Sequence, residues 1–268
     1  MANSAIVRGT EASLVFDPNC FRFGRALRAA FEAGGGPPAR EVVYSHAHDD
    51  HTMGAELFSP PARVHARRAA RHRLERGVSE GLVPGSQYEV GYPGAADEGR
   101  GVRVVLPDVL VDVPASLDLG EVLVCLRPVG PAHTNGDLWV FVEPDGVALC
   151  GDLWYAQCEP YVGSGSVRGL LEAIGQIREA KARVHVPGHG PVGRIGPPGT
   201  DPVERYLRWL LEEASRAIDD GLSGERLRAR VRARFEEQRQ RPGAIDFLVR
   251  LPGFLEVTAA AAERDIRA

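Results

Sequence analysis

Residues 45–51 read Ser45-His46-Ala47-His48-Asp49-Asp50-His51, directly after the strand-forming run Val42-Val43-Tyr44. Three imidazoles and the Asp50 carboxylate thus fall within six positions. Neutral imidazole nitrogen and carboxylate oxygen are the donors that borderline metals such as zinc select. On extended backbone, residues two apart point the same way, so His46 and His48 can hold one metal together. Asp50 and His51 follow in the turn, where they can face a second. The alternative is a polar loop whose histidines are merely solvated; so dense a ligand set at a strand end weighs against it.

Working outward, three further elements each follow an apolar run: Gly130-Pro131-Ala132-His133-Thr134-Asn135-Gly136-Asp137, Leu149-Cys150-Gly151-Asp152 and Pro187-Gly188-His189-Gly190. In this order, together with the His-x-His-x-Asp-His run, they resemble the signature of the metallo-β-lactamase superfamily over roughly residues 3 to 195. The resemblance implies an α/β fold, the αβ/βα sandwich of two mixed β-sheets flanked by helices, with metals at the sheet edges between the halves. It implies that His46, His48 and His133 hold one metal, that Asp50, His51 and His189 hold the second, and that Asp152 bridges both. An Asp at the bridging position sets the chain nearer the glyoxalase II and lactonase side of the family than the class B β-lactamases, which tend to carry Cys or Ser there. Most members also have one or two strands before the position of Ala5, so the first sheet is expected to be trimmed or covered by another element. An uncovered edge invites pairing, which leaves a homodimer open.

The bulk properties narrow the field. At 268 residues the chain has room for one large domain or two small ones. With 32 basic against 36 acidic residues the net charge is −4, which leaves no basic excess for a nucleic-acid surface. Lys181 is the only lysine; an arginine-based chain rich in Ala, Gly and Pro suggests a GC-rich bacterial genome. Cys20, Cys125, Cys150 and Cys158 have no Cys-x-x-Cys spacing, so no thiolate site is legible, and Cys150 is expected in the core. Free thiols, a start without a signal-peptide pattern and no apolar stretch long enough for a membrane span together predict a soluble cytoplasmic protein.

Along the chain, short strands are expected at Ala5–Arg8 and Ser13–Asp17, and a helix at Arg22–Ala33 stopped by Gly34-Gly35-Gly36-Pro37-Pro38. After the Val42–Ser45 strand come a strand at Arg63–Ala66 and a basic helix at Arg67–Arg76, whose arginines read as a solvated face before an anion-binding one. Residues 77–101, rich in Gly, Pro and Tyr (Tyr88, Tyr92-Pro93-Gly94), read as an insertion or a loop over the site. Strands are then predicted at Val102–Leu106, Val109–Val113, Glu121–Leu126, Leu138–Val142 and Val147–Cys150, with a Glu143-Pro144-Asp145-Gly146 turn joining the last two. Ser166 is placed to cap a helix through Ala180, and Val184–Val186 is the strand that opens into the His189 loop. The division expected is a catalytic unit over 1–198 and a helical extension over 199–268 packed on the same domain. The extension's helices are marked by Val203, Tyr206, Leu207, Leu210, Leu211 and Ala214; by Leu227, Val231 and Phe235; and by Phe254 through Ala262.

The chemistry implied is hydrolysis. Two divalent metals about 3.5–4 Å apart share a water, bring its pKa toward neutrality and stabilise the oxyanion formed on a carbonyl. Zinc is the first choice, with iron or manganese the others. Asp50 is expected to orient the nucleophile and take its proton. Behind the ligands, each His needs its other nitrogen anchored: Asp17 matches the family's structural Asp near the metal loop, and Thr134, Asp137 and Asp49 are further candidates. Trp154, Tyr155 and Tyr161 lie just after Asp152, where relatives line the pocket around a small-molecule substrate. His65, His72 and His185 lack ligand neighbours and read as structural or solvated. The leading function is a dinuclear hydrolase of an ester, thioester, lactone or amide. The alternatives are a mononuclear-iron enzyme like the persulfide dioxygenases, and a non-hydrolytic biosynthetic enzyme that cyclises or decarboxylates.

Overall fold

The structure, a computed structural model, describes residues 2–85, 94–143, 145–240, 247 and 250–268. Tyr88, Tyr92, Pro93 and Pro144, singled out above, lie outside the described residues. The first sheet takes its strands in sequence order: β1 (Ala5–Arg8), β2 (Ser13–Phe16), β3 (Ala39–Val43), β4 (Arg63–Ala66) and β5 (Val109–Leu110). β1 and β2 form an antiparallel hairpin, and the remaining pairs are parallel. The second sheet contains β6 (Ala115–Asp118), β7 (Leu123–Pro128), β8 (Leu138–Glu143), β9 (Val147–Tyr155) and β10 (Val184–His189), in the order β10-β9-β8-β7-β6. Only β9 and β10 run parallel there.

Side-chain alternation builds the layers. Leu14, Phe16, Val43, Leu126, Leu138, Val140 and Leu149 meet between the sheets. Their neighbours Val15, Val42 and Tyr44 face outward, toward α1 (Phe21–Ala33) and, past the one-turn helix α2 (Asp49–Thr52), toward α3 (Arg68–Ser79). A short helix α4 (Ala95–Gly99) ends the insertion. On the opposite face, Trp139, Ala148, Cys150 and Leu153 pack under α5 (Val167–Glu179), α6 (Pro202–Asp219), α7 (Gly224–Arg239) and α8 (Phe254–Arg267). The chain is therefore an αβ/βα sandwich, and its C-terminal helices share one core with the second sheet.

Local signals explain the helix starts. Ser166 accepts from Gly169 N as the cap of α5, and Asp201 accepts from Val203 N and Glu204 N ahead of Pro202 in α6. Val203, Tyr206, Leu207, Leu210, Ala214 and Ala217 form a fully buried stripe on α6, and Leu227, Val231 and Phe235 one on α7. Burying each large side chain contributes about 1.5–3 kcal/mol, so the tail adheres through packing. No helix among the described residues is long and apolar enough to cross a membrane.

Three expectations are corrected. Val102–Leu106 is not a strand: Val104, Val105 and Leu106 lie on the outer cluster, and the Val105 carbonyl accepts from Tyr44 OH rather than from a ladder, since an apolar run reports burial and not pairing. The predicted Val109–Val113 strand shrinks to two residues. The largely exposed β6 was missed because its Ala-Ser-Leu-Asp sequence alternates over only four residues, too short a run to stand out.

Candidate metal centre

Seven donors from five segments converge at one end of the sandwich. His46 and His48 lie in the bend after β3, not on an extension of the strand, with only His48 in extended conformation. Asp50 and His51 lie in α2, Asp152 lies in β9, His189 ends β10, and His133 comes from the loop between β7 and β8. They form two groups, each with ligand atoms within 4.8 Å of one another: His46, His48, His133 and Asp152, and Asp50, His51 and His189. The Asp152 carboxylate divides between them. Its Oδ2 lies 3.3 Å from His133 Nε2 and 3.9 Å from His46 Nε2. Its Oδ1 lies 3.2 Å from His51 Nε2 and 3.4 Å from His189 Nε2. Asp50 Oδ2 closes the second group at 3.4 Å from His189 Nε2 and 3.8 Å from His51 Nε2.

The outward nitrogens of His46, His51 and His133 are anchored, so each ring can keep its proton outward and turn a lone pair inward when a metal is bound. His51 Nδ1 lies 2.8 Å from Asp17 Oδ2, which can only accept. Ser45 Oγ donates to the same oxygen at 2.7 Å and lies 2.9 Å from His46 Nδ1. His133 Nδ1 lies 2.6 Å from the Tyr161 carbonyl. What remains is a set of buried atoms with no hydrogen-bond partner: His46 Nε2, His51 Nε2 and Asp152 Oδ1. Buried polar groups are otherwise satisfied. Convergent lone pairs on imidazole and carboxylate are the donor set a divalent borderline metal takes, and the residues fit one.

Electrostatics follow from burial and from the carboxylates. Burial first, and neighbouring imidazoles second, hold His46 and His48 well below the usual imidazole range. Burial also lowers His133, against the pull of Asp152. Burial works against charge on His51 too, but Asp152, Asp50 and Asp17 outweigh it and carry that group well above its ordinary value. Burial opposes the ionised form of Asp152, yet His189, His51 and His133 keep its carboxyl well below the usual range.

Two glycines of the motifs have steric reasons. A Cβ on Gly188 would sit 1.9 Å from Asp152 Oδ1, and one on Gly151, at φ +53°, would sit 2.4 Å from Ser45 Cβ. Asp17 itself is left-handed at φ +47°, a conformation aspartate tolerates. There it accepts from Ser45 N as well, at 2.7 Å.

The other expected residues lie at different depths. Thr134 donates from its backbone N and hydroxyl to Asp137. The two close the turn behind His133 without a direct contact to the imidazole, and burial pushes the Asp137 carboxyl up to about 7. Asp49 accepts from Gly85 N and so ties the metal loop to the insertion. Tyr155 is buried; its OH donates to Asp152 Oδ2 at 2.8 Å and its ring stacks on His189 at 5.7 Å. Tyr161 is half-buried, with its ring 6.2 Å from His48 and 6.0 Å from His133. Trp154 is not brought to the cluster: its Nε1 donates to Asp201 Oδ2 at the start of α6. Of the histidines set aside, His65 is buried against Glu41 at 2.5 Å, and His185 packs edge-on to Trp154.

Sequence reasoning missed Ser45 and Asn3. Asn3 Nδ2 donates to the carbonyls of Pro187 and Gly190, on either side of His189, and Asn3 N donates to Gly188 O. Ser45 stood beside the motif as a signal; Asn3, 184 residues from its partner, offered none.

A family model described as the metallo-beta-lactamase superfamily matches residues 1–189. A search of the curated proteins finds no match. Among solved structures, a metallo-beta-lactamase from Pontibacter korlensis is similar at 18% identity and a TM-score of 0.58, over 77% of this chain and 84% of that one. BLEG-1, a B3 metallo-beta-lactamase, is similar at 20% identity and a TM-score of 0.54, over 72% of this chain and 88% of that one. The inverting sec-alkylsulfatase Pisa1 from Pseudomonas sp. is similar at 19% identity and a TM-score of 0.68; it overlays 98% of this chain, helical tail included, on 47% of its own length. The matched family segment ends on His189, the last of the seven donors, and spans well over half of the residues: the chain belongs to the metallo-beta-lactamase superfamily.

Proposed function

We propose that the protein is a dinuclear metal-dependent hydrolase that takes the carbonyl of a small ester, thioester, lactone or amide. The observation that carries this reading is the division of Asp152: Oδ2 faces one histidine group and Oδ1 the other, the arrangement of a carboxylate that serves two ions. His46, His48 and His133 would hold the first ion and Asp50, His51 and His189 the second, with zinc the expected metal. Bound divalent metal supplies an acidified water and a polarised carbonyl oxygen.

The chain's own residues do the rest. Asp17, Ser45 and the Tyr161 carbonyl fix the tautomers that leave the inward nitrogens unprotonated. Tyr155 OH, donating to Oδ2, holds the Asp152 carboxylate with one oxygen toward each histidine group. Asp50, the most exposed carboxylate of the set, has an oxygen to receive the proton of the attacking water and return it to the leaving group. Asp50→Ala is therefore expected to lower kcat at full metal loading.

The first test is metal content of the untagged protein by plasma mass spectrometry, followed by a substrate panel. About two zinc per chain with turnover of a carbonyl substrate supports the reading. One iron per chain, with oxygen consumption on persulfide substrates, overturns it. One observation puts a secondary alkyl sulfate on the same panel: the likeness to the alkylsulfatase runs through the tail as well as the sandwich.

A further inference from the structure

We propose that Thr258 of α8 is a positioning residue of the metal centre: its hydroxyl spans the two peptide groups that flank Tyr161 and so fixes the carbonyl that orients His133. The inference rests on the reading of His133 as a metal ligand. The Tyr161 carbonyl lies 2.6 Å from His133 Nδ1, and because a carbonyl only accepts, Nδ1 carries the proton. His133 Nε2 is left as a lone pair, 3.3 Å from Asp152 Oδ2 and 3.0 Å from His48 Nδ1. Tyr155 OH lies 3.2 Å from the same Nδ1, but the carbonyl is the nearer partner at 2.6 Å, and its placement sets the outward proton that leaves Nε2 a competent donor.

Tyr161 sits in neither a helix nor a sheet strand, so no ladder holds its backbone. Thr258 does. Val162 N donates to Thr258 Oγ1 at 3.1 Å, and Thr258 Oγ1 donates to the Pro160 carbonyl at 3.3 Å. One hydroxyl therefore uses both its donor and its acceptor capacity on the peptides immediately before and after residue 161. The surroundings support a specific role. Thr258 is fully buried among Leu255, Ala259, Ala261 and Ala262, where a hydroxyl is costly unless bonded and threonine is an indifferent helix former. The rest of the tail grips the same segment further out. Tyr206 OH and Arg250 hold Glu159, Arg264 donates to Gly163 O, Asp265 accepts from Ser166 Oγ and Arg168 N, and the Phe254 ring lies 5.0 Å from that of Tyr161.

The test compares Thr258→Val, which keeps the shape and removes the hydroxyl, with Thr258→Ser, which keeps the hydroxyl. Two readouts are used: the Nδ1–H resonance of His133 in metal-free protein labelled with nitrogen-15 histidine, and zinc affinity by competition with a chromophoric chelator. Thr258→Val is expected to broaden or shift that resonance and to weaken zinc binding about tenfold, with Thr258→Ser restoring both. If Thr258→Val does not fold, Thr258→Ala supplies the same comparison. An unchanged resonance and affinity in the valine variant, or a serine variant that behaves like valine, overturns the proposal. Wild-type protein that takes up no zinc overturns the metal reading itself, and the resonance alone then decides whether the clamp exists.

Discussion

Removing Asp17 separates two jobs that one buried carboxylate performs. Asp17 is fully buried and accepts three hydrogen bonds, from Ser45 N, Ser45 Oγ and His51 Nδ1, all between 2.7 and 2.8 Å. In Asp17→Ala the serine hydroxyl can rotate to another acceptor, but Ser45 N–H and His51 Nδ1–H are stranded. Each stranded buried donor costs about 1–3 kcal/mol. Part of this is offset because the carboxylate no longer has to be desolvated, the effect that raises its pKa in the folded protein. A net loss of about 3 kcal/mol is expected, a large fraction of the ~5–15 kcal/mol that stabilises an ordinary domain. Asp17→Asn should behave differently. Its amide oxygen can still accept from Ser45 N, but its NH₂ meets donors where Oδ2 met them. His51 is then driven to carry its proton on Nε2, the atom that faces Asp152. Stability should fall by only about 1–2 kcal/mol, while affinity for the second metal equivalent falls about 10–100-fold. Urea denaturation of metal-free protein measures the first quantity, and chelator competition the second. An Asp17→Asn variant that keeps both metal equivalents at wild-type affinity would refute the tautomer argument.

Gly188→Ala should displace Asp152, because the new methyl would sit 1.9 Å from Oδ1. Metal stoichiometry is expected to drop at both groups, with a stability loss of at least about 1–3 kcal/mol. By contrast, Gly175→Ala in α5 meets nothing within 4 Å and should stabilise by about 1 kcal/mol; urea denaturation of metal-free protein measures both variants. The Asp137 carboxyl, pushed up to about 7 from an unfolded value of 3.8, takes up a proton on folding between those limits. Its contribution to stability is complete below pH 3.8 and lost as the pH rises through 7. Carbon-13 shifts of labelled aspartate in metal-free protein should show one carboxyl titrating near neutrality, and a set of aspartates that all titrate below pH 5 would contradict this.

The parts of the site that were legible from sequence are those where chemistry and spacing coincide on a short segment. His46 and His48 are legible because two histidines one residue apart follow an apolar strand, although the structure holds them in the bend after β3 and not on it, and His189 because a Pro-Gly element follows an apolar strand. Helices α5 to α8 were readable from their stripes, since Leu170, Leu210 and Phe235 recur at helical spacing. What stayed hidden is carried by long-range hydrogen bonds from residues that look ordinary in their own neighbourhood. Asn3 reads as the edge of a short strand, and Thr258 as a weak position in an alanine-rich helix. Tyr155 was legible as an aromatic near the site, but alternation alone did not indicate that its hydroxyl would meet Asp152. The strand expected at Val102–Leu106 failed for the converse reason: its side chains bury as a strand's would, while its backbone pairs with nothing in a sheet.

The bonds from Asn3 to the backbone around His189 also set an order of events in time. Asn3 is synthesised 187 residues before its farther acceptor, the Gly190 carbonyl. At about 5–20 residues per second, synthesis takes roughly 10–40 s to cover that distance. Throughout that interval β1 and β2 can form while the strap that steadies the last histidine has nothing to hold. A nascent chain paused before Gly190 would therefore carry His46, His48, His133 and Asp152 before the backbone on either side of His189 is tied down, so the last histidine of the cluster is the last to be steadied.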